Sequence, residues 1–222
     1  MKSRTVVFAV ATAIAGSSVL FAQDPAKVDA AHYKVMVDTS SVRVLEVNHA
    51  VGAKSVMHAH PDAIIVPLTP SKVRFTTPDG KFTDSELPNE SGNCAPAGVH
   101  NPSNVGTTAV RAIVVEFKGA GGKAVLPANR ASLTMKPIAE CARATAYRST
   151  ADPAFSEPAG TKHDYDQVVI ALGTGQMSLA IDGKPAKTTW ARGDVQFIGR
   201  GVAHESRNAG GKPIDFIIVS IK

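Results

Sequence analysis

The feature that most constrains the fold of this chain is an internal repeat with an offset of 103 to 104 residues. At this offset, residues with special chemical or turn-forming character coincide. The pairs are His60 with His163, Asp79-Gly80 with Asp182-Gly183, His100 with His204, Asn104 with Asn208, and Gly106 with Gly210. Such self-similarity is typical of a duplicated domain. We therefore predict two similar units in tandem.

Each repeat reads as a series of short strands. Both repeats end in a segment rich in β-branched residues, at 112–118 and 216–222, and β-branched residues favour strands. Asp-Gly in mid-repeat is typical of a hairpin turn, and helical periodicity is nearly absent. These patterns predict an all-β fold built as barrels or sandwiches.

The first 22 residues have the pattern of a signal peptide. Lys2 and Arg4 precede an apolar run from Val6 to Phe21, and the small residue Ala22 follows. A retained anchor helix is the alternative interpretation. We predict cleavage near Ala22 and a periplasmic or secreted location.

Charge and composition limit the classes of partner. The chain has a formal charge of +5, which falls to +3 when Lys2 and Arg4 are removed, and only 5% of its residues are aromatic. This charge is too mild to indicate nucleic-acid binding. No later stretch has the roughly 18 apolar residues of a membrane span, so we expect no membrane contact after cleavage. A small-molecule ligand or substrate is the expected partner, and a homo-oligomer is left open.

The two cysteines, Cys94 and Cys141, lie in different repeats. An oxidising compartment would allow them to form a disulfide across the junction of the repeats. Two unpaired, buried cysteines are an equally acceptable interpretation, because sequence cannot show that the sulfurs meet.

A histidine cluster is the main chemical signal. His58 and His60 are two apart on a predicted strand, so they share one face of it. His100 follows a Pro96-Ala97-Gly98 turn that can direct it to the same interior. Three converging neutral imidazoles suit one divalent transition metal, with Fe, Mn, Ni, Cu and Zn all left open.

These residues resemble the two sequence motifs of the cupin superfamily. Gly52, His58 and His60 match its first motif, and Pro96, Gly98, His100 and Asn104 resemble its second, with one residue missing before the histidine. The family's glutamate ligand would fall near residues 63–65, which are apolar here. The resemblance implies a primary metal site at His58, His60 and His100, and a hydrogen-bonded polar cluster that fills the barrel without metal is the alternative interpretation.

The second repeat keeps the later motif better than the earlier one. Gly193, Gly201, His204 and Asn208 match the second motif, with Gly199 in place of its proline. In the first motif, Thr161 and His163 take the His-x-His positions and Gln167 the glutamate position. A competing register would use His163 and Tyr165 instead. The resemblance implies a weaker metal site at His163, Gln167 and His204.

The resemblance implies two tandem cupin-type, jelly-roll β-barrels after a cleaved signal peptide. The expected boundaries are 1–22 for the signal peptide, 23–118 for the N-terminal barrel, 119–142 for a connector and 143–222 for the C-terminal barrel.

Two hypotheses about function follow. The first is an exported metal-dependent oxidoreductase or isomerase for small molecules, resembling bicupin dioxygenases, with its metal in the N-terminal barrel. The alternative is a non-catalytic bicupin that binds a small molecule or has a structural role. No catalytic acid or base is identified, and His32 and His49, which lie outside both motifs, receive no role.

Overall fold

The structure is a computed structural model that describes residues 23–119, 121–122, 127, 129–186 and 188–222. The predicted signal peptide, residues 1–22, lies outside the described residues. In the described part of the chain, no helix is long and apolar enough to span a membrane.

The described residues form one short helix and many short strands. In chain order these are α1 (Pro25–Val28), β1 (Tyr33–Asp38), β2 (Val42–His49), β3 (His58–His60), β4 (Ala63–Pro67), β5 (Ser71–Thr76), β6 (Phe82–Leu87), β7 (Asn93–Ala95), β8 (Gly98–Asn104), β9 (Val110–Phe117), β10 (Leu133–Glu140), β11 (Ala144–Ala151), β12 (Ser156–Thr161), β13 (Asp166–Ala171), β14 (Gly175–Ile181), β15 (Lys184–Pro185), β16 (Thr189–Trp190), β17 (Val195–Ile198), β18 (His204–Asn208) and β19 (Ile214–Ile221).

Each half of the chain contains two antiparallel sheets. The first half has sheets of order β1-β2-β9-β4-β7 and β3-β8-β5-β6, and the second has β10-β11-β19-β13-β17 and β12-β18-β14-β15, with β16 also paired to β14. The strand order is the same in both halves. In each large sheet the last long strand, β9 or β19, lies between two strands that come earlier in the chain. The prediction of an all-β fold with two tandem jelly-roll barrels is confirmed.

The central strands β9 and β19 are buried on both faces. On β9, Val110 and Ala112 face the interior of the first barrel, whereas Ile113 and Val115 belong to a core shared by both barrels. A strand covered on both faces needs apolar side chains at successive positions rather than alternate ones. This burial accounts for the unbroken apolar segments that close the two repeats.

The large sheets of the two barrels pack against each other. Their shared core contains buried side chains from both halves, namely Val42, Val44, Ile64, Val66, Leu68, Ile113, Val115 and Phe117 with Ala144, Ala146, Val168, Ile170, Leu172, Ile217, Val219 and Ile221. Each barrel also has an interior cluster of its own. The two barrels are therefore joined by an apolar core that is separate from their interior clusters.

A disulfide crosses this junction. Cys94, on β7 of the first barrel, is bonded to Cys141, which follows β10, and their Cα atoms are 5.8 Å apart. The alternative of two unpaired cysteines is therefore excluded. The predicted connector, 119–142, contains β10, which pairs with β11, so this part of it belongs to the large sheet of the second barrel.

Candidate metal centres

The two repeats place their motif residues at matching positions of the smaller sheets. His58 pairs with His100 between β3 and β8, and Thr161 pairs with His204 between β12 and β18. Thr161 therefore occupies the position of His58, and His163 that of His60. The strand pairing agrees with the register that assigns Thr161 and His163 to the His-x-His positions.

The three N-terminal histidines meet at one wall of the first barrel's interior. The ring of His100 lies 5.2 Å from that of His58 and 4.7 Å from that of His60, measured between centroids. Phe75 packs against His100 at 4.9 Å. The rings border a cavity of about 70 Å³ whose other walls are mainly apolar.

Backbone hydrogen bonds orient two of these rings. Nδ1 of His58 donates to the carbonyl of Val56 at 2.9 Å, and Nδ1 of His60 donates to that of Pro61 at 2.7 Å. Each bond leaves Nε2 as the nitrogen with a free lone pair. Such bonds fix the tautomer and orientation of histidine ligands in metal sites.

Burial keeps His58 and His100 uncharged. Desolvation lowers the pKa of His58, and desolvation together with the charges of His60 and His58 lowers the pKa of His100 to about 3. At neutral pH both rings are therefore neutral. Neutral imidazole is the form that binds a metal.

The first barrel lacks a carboxylate at the family's glutamate position. Ala63 of β4 pairs with Glu116 of β9 at the place where Gln167 pairs with Ser220 in the second barrel. Glu116 borders the cavity, but its Oε2 accepts a hydrogen bond from Arg43 at 2.5 Å. Ala63 therefore stands at the family's glutamate position, and its side chain provides no metal ligand.

Compact ligand sets occur elsewhere. Among the described residues, two groups of three His, Asp or Glu side chains bring one ligand atom each to within 4.8 Å of one another. They are Glu157 with His163 and His204, and Asp29 with His32 and His49. The histidines 58, 60 and 100 are not one of these groups.

The C-terminal group consists of one carboxylate between two imidazoles. Oε1 of Glu157 is 3.6 Å from Nε2 of His163, and its Oε2 is 3.4 Å from Nε2 of His204. Arg130 and Ser206 each donate a hydrogen bond to the carboxylate at 2.6 Å. Each carboxylate oxygen thus has one hydrogen-bond donor that holds it in place and one imidazole beside it.

Charges in this group are strongly coupled. Burial alone would raise the pKa of Glu157, but the neighbouring imidazoles of His163 and His204, the hydrogen bond from Ser206 and the charge of Arg130 hold it well below its usual range. Burial likewise opposes charge on His204, yet the Glu157 carboxylate, 3.4 Å from its Nε2, raises its pKa. Glu157 is therefore ionised, and its negative charge favours a proton or a metal cation on His204.

A metal ion fits this group. Nε2 of His204 is fully buried and has no hydrogen-bond partner among the described residues. A buried polar atom without a partner is costly, and it commonly marks a missing ion or water. Two imidazoles and one carboxylate are also a known donor set for non-haem Fe(II) and a suitable one for Zn(II).

Gln167 is not a member of the compact group. Its side chain is buried on β13 and borders the interior cavity of the second barrel, together with Glu157 and Trp190. The ligand that sequence reasoning missed is Glu157, which precedes the His-x-His positions. The β12–β18 pairing is irregular between Glu157 and Thr161, and this irregularity cannot be deduced from motif spacing.

Solved structures with the same fold span most of the chain. A cupin 2 conserved barrel domain protein from Leptotrichia buccalis is 11% identical, with a TM-score of 0.56, over 86% of this chain and 88% of its own. AerE from Microcystis aeruginosa is 14% identical, with a TM-score of 0.66, over 86% and 93%. A salicylate 1,2-dioxygenase from Pseudaminobacter salicylatoxidans is 9% identical, with a TM-score of 0.62, over 85% and 76%.

These similarities establish the cupin fold. No protein-family model and no curated protein matches the sequence. At identities of 9 to 14%, structural likeness carries the fold and not the activity.

Proposed function

We propose that this chain, which has the cupin fold in two copies, is an exported metal-binding bicupin that acts on a small molecule as a metal-dependent oxidoreductase. Metal binding is supported by the His and Glu groups of the barrels. Export rests on the charged and apolar pattern of residues 1–22. The activity is a proposal about reaction class, and the substrate is left open.

One observation carries the proposal. The Glu157, His163 and His204 side chains bring three ligand atoms together, and the buried Nε2 of His204 has no hydrogen-bond partner among the described residues. The N-terminal site at His58, His60 and His100, ranked first from sequence, has no such compact set. We therefore place the better-formed metal site in the C-terminal barrel.

The chemistry of this donor set supports an oxidoreductase. A metal held by three protein ligands keeps open coordination positions, where it can accept an oxygen donor or dioxygen. Arg130 and Ser206 keep the Glu157 carboxylate ionised and oriented. The ring of His163 stacks on that of Tyr165, with 5.0 Å between the centroids, and this contact holds the His163 imidazole in position. The protein thus presents ligands whose orientation is set before a metal arrives.

The N-terminal barrel supports a second role in ligand binding. Its cavity of about 70 Å³ is bordered by apolar side chains and by the three histidines. Concave, mostly apolar sites with a few polar groups are typical of small-molecule binding. We propose that this barrel binds a small ligand, with a metal at His58, His60 and His100 as the weaker site.

A non-catalytic bicupin is the second candidate function. Glu157 already accepts hydrogen bonds from Arg130 and Ser206, and it lies beside two imidazoles that can carry a proton. This arrangement can be stable as an internal ion-pair cluster without a metal. The two candidates differ in whether the purified protein holds metal at Glu157.

Elemental analysis distinguishes the metal-dependent function from the non-catalytic one. The purified protein is reconstituted in turn with Fe²⁺, Mn²⁺ and Zn²⁺, dialysed, and its metal content per chain is measured. The variants are Glu157→Gln and the double variant His163→Ala/His204→Ala. Glu205→Gln is the matched control, because Glu205 is exposed on the same strand as His204. We expect both site variants to lose about one equivalent and the control to lose none.

A double variant His58→Ala/His60→Ala tests the ranking of the two barrels. If it loses the metal and the Glu157 variants keep it, the principal site lies in the N-terminal barrel and our placement is overturned. If neither the original protein nor any variant binds metal, the results favour the non-catalytic function over the metal-dependent one. For a metal-loaded protein, dioxygen consumption is then measured with salicylate, because one structural neighbour is a salicylate 1,2-dioxygenase.

A further inference from the structure

We propose a separate cation site at Asp29, His32 and His49, outside the cupin motifs and independent of the site at Glu157. Zn²⁺ is the cation that suits its donor set best. The three side chains form the second compact ligand group among the described residues. Two of them come from the segment that precedes the first barrel strand, and the third comes from the end of β2.

A tight turn brings Asp29 and His32 together. Asp29 ends helix α1, where its N–H donates to the carbonyl of Pro25 at 2.9 Å. The carbonyl of Asp29 then accepts hydrogen bonds from the N–H groups of His32 and Tyr33 at 3.0 and 3.1 Å. In this turn Nδ1 of His32 donates to Oδ1 of Asp29 at 2.8 Å. A cation would take the place of the proton in this hydrogen bond, with Nδ1 of His32 and Oδ1 of Asp29 as neighbouring ligand atoms.

The barrel wall supplies the third ligand. The N–H of Asn48 donates to the carbonyl of His32 at 3.0 Å, which fixes the turn against the end of β2. The rings of His32 and His49 are 4.7 Å apart. His49 is only 2% exposed, and its Nε2 has no hydrogen-bond partner among the described residues. A histidine so buried and unsatisfied calls for a ligand or ion beside it.

Ser55 provides the support that metal ligands usually need. Its hydroxyl donates to Oδ2 of Asp29 at 2.5 Å, which holds this oxygen in place while Oδ1 faces His32. Hydrogen-bond partners of this kind orient the side chains that bind the metal directly, and they are typical of functional metal sites. Two imidazoles and a carboxylate form a three-ligand zinc site with a position left for water. The His32 side chain is 26% exposed and gives the ion a route from solvent.

The position of the site suggests what the cation does. Pro25 and Tyr33, on either side of the Asp29–His32 turn, border the N-terminal cavity, and so does His49. The hydroxyl of Ser55 is also 3.5 Å from Nδ1 of His58. A cation at this site would therefore fasten the N-terminal segment to the barrel where that segment forms one wall of the cavity.

Zinc titration tests this inference. The protein carrying His163→Ala/His204→Ala, which lacks the C-terminal ligands, is titrated with Zn²⁺ alone and the bound zinc per chain is counted. Asp29→Asn and His32→Asn are then added singly to this background. Asp79→Asn, in an exposed turn of the same barrel, is the control. We expect each site variant to remove about one equivalent of Zn²⁺ and the control to remove none.

Thermal melting supplies the second readout. Zn²⁺ is expected to raise the melting temperature of the background protein by more than that of the Asp29→Asn and His32→Asn variants, because an ion bound to the folded state stabilises it and these variants keep only the weaker site at His58, His60 and His100. Zinc content and zinc-induced shift equal to those of the background would overturn the inference. A variant that melts earlier without zinc is judged by its zinc count alone. The site at Glu157 is tested in the unmodified protein, so the two proposals fail separately.

Discussion

Thr161 faces His204 in the second barrel at the position where His58 faces His100 in the first. The C-terminal barrel thus has a threonine where the other barrel has a potential ligand. Its hydroxyl donates to the carbonyl of Pro158 at 2.7 Å and does not contact His204 through any hydrogen bond of the described residues. This difference leads to the first prediction.

Thr161→His is expected to strengthen metal binding in the second barrel. The new imidazole, at the end of β12 and opposite His204, would add a neutral nitrogen ligand to the set at Glu157. We expect affinity for Zn²⁺ or Fe²⁺ to rise by roughly an order of magnitude or more. Competition titration with a chelator measures it. Thr161→Val is the control, and an unchanged affinity for the histidine variant would contradict the placement of the site.

The disulfide is expected to contribute strongly to stability. It closes a sequence separation of 47 residues between the two barrels. A loop of this length corresponds to about 4 kcal/mol of lost denatured-state entropy, and measured effects are typically about 2 to 4 kcal/mol. Urea unfolding of Cys94→Ala/Cys141→Ala should show a loss in that range. Reductant should lower the unfolding free energy of the original protein and leave that of the variant unchanged.

Arg192 is expected to stabilise the junction of the barrels. Its guanidinium donates to Glu90, to Asn89 and to the carbonyls of Leu68 and Leu172. Arg192→Ala would remove a donor from each of these acceptors at a partly buried position, although Glu90 keeps its ion pair with Arg148, and we expect a loss of about 1 to 3 kcal/mol. Chemical unfolding measures the loss.

Arg74→Ala is the matched control for Arg192. Arg74 forms an ion pair with Asp84 at 2.7 Å, but at an exposed position of the first barrel. Surface pairs contribute about 0 to 1 kcal/mol. If both alanine variants lose the same small free energy, Arg192 does not hold the barrels together.

The metal-free protein is expected to lose stability as the pH falls below about 6.5. Burial, with a smaller contribution from the charge of His32, lowers the pKa of His49 to about 4, whereas an unfolded histidine titrates near 6.5. Between these values the unfolded chain binds more protons, so acidification favours unfolding by up to about 1.4 kcal/mol per pH unit for this residue. His49→Gln should reduce the slope of unfolding free energy against pH. An identical slope would show that His49 is not buried in its neutral form.

The fold was accessible to sequence analysis because its signals are local or periodic. The paired Asp-Gly turns, the two β-branched endings and the repeated His and Asn positions each depend on short segments. In the structure, Asp182 and Gly183 adopt φ of 52° and 72°, as a tight hairpin between β14 and β15 requires. Local conformational preferences of this kind depend directly on residue type.

The ligand sets were less accessible because they depend on contacts between distant elements. Glu157 reaches His163 and His204 through an irregular strand pairing, and Asp29 reaches His49 through a turn that docks on β2. Neither contact follows from the spacing of a motif. Sequence reasoning accordingly placed Gln167 in the second site and gave His32 and His49 no role.

The duplication, the all-β class and the histidines of both motifs can be read from the amino-acid sequence, because alternation along strands and turn chemistry are properties of neighbouring residues. The disulfide, the core between the barrels and the grouping of Glu157 and Asp29 with histidines emerge only from the folded chain. These features depend on which sheet faces which and on the register of each strand pair. Distances between atoms far apart in the chain are set only when the whole fold is packed.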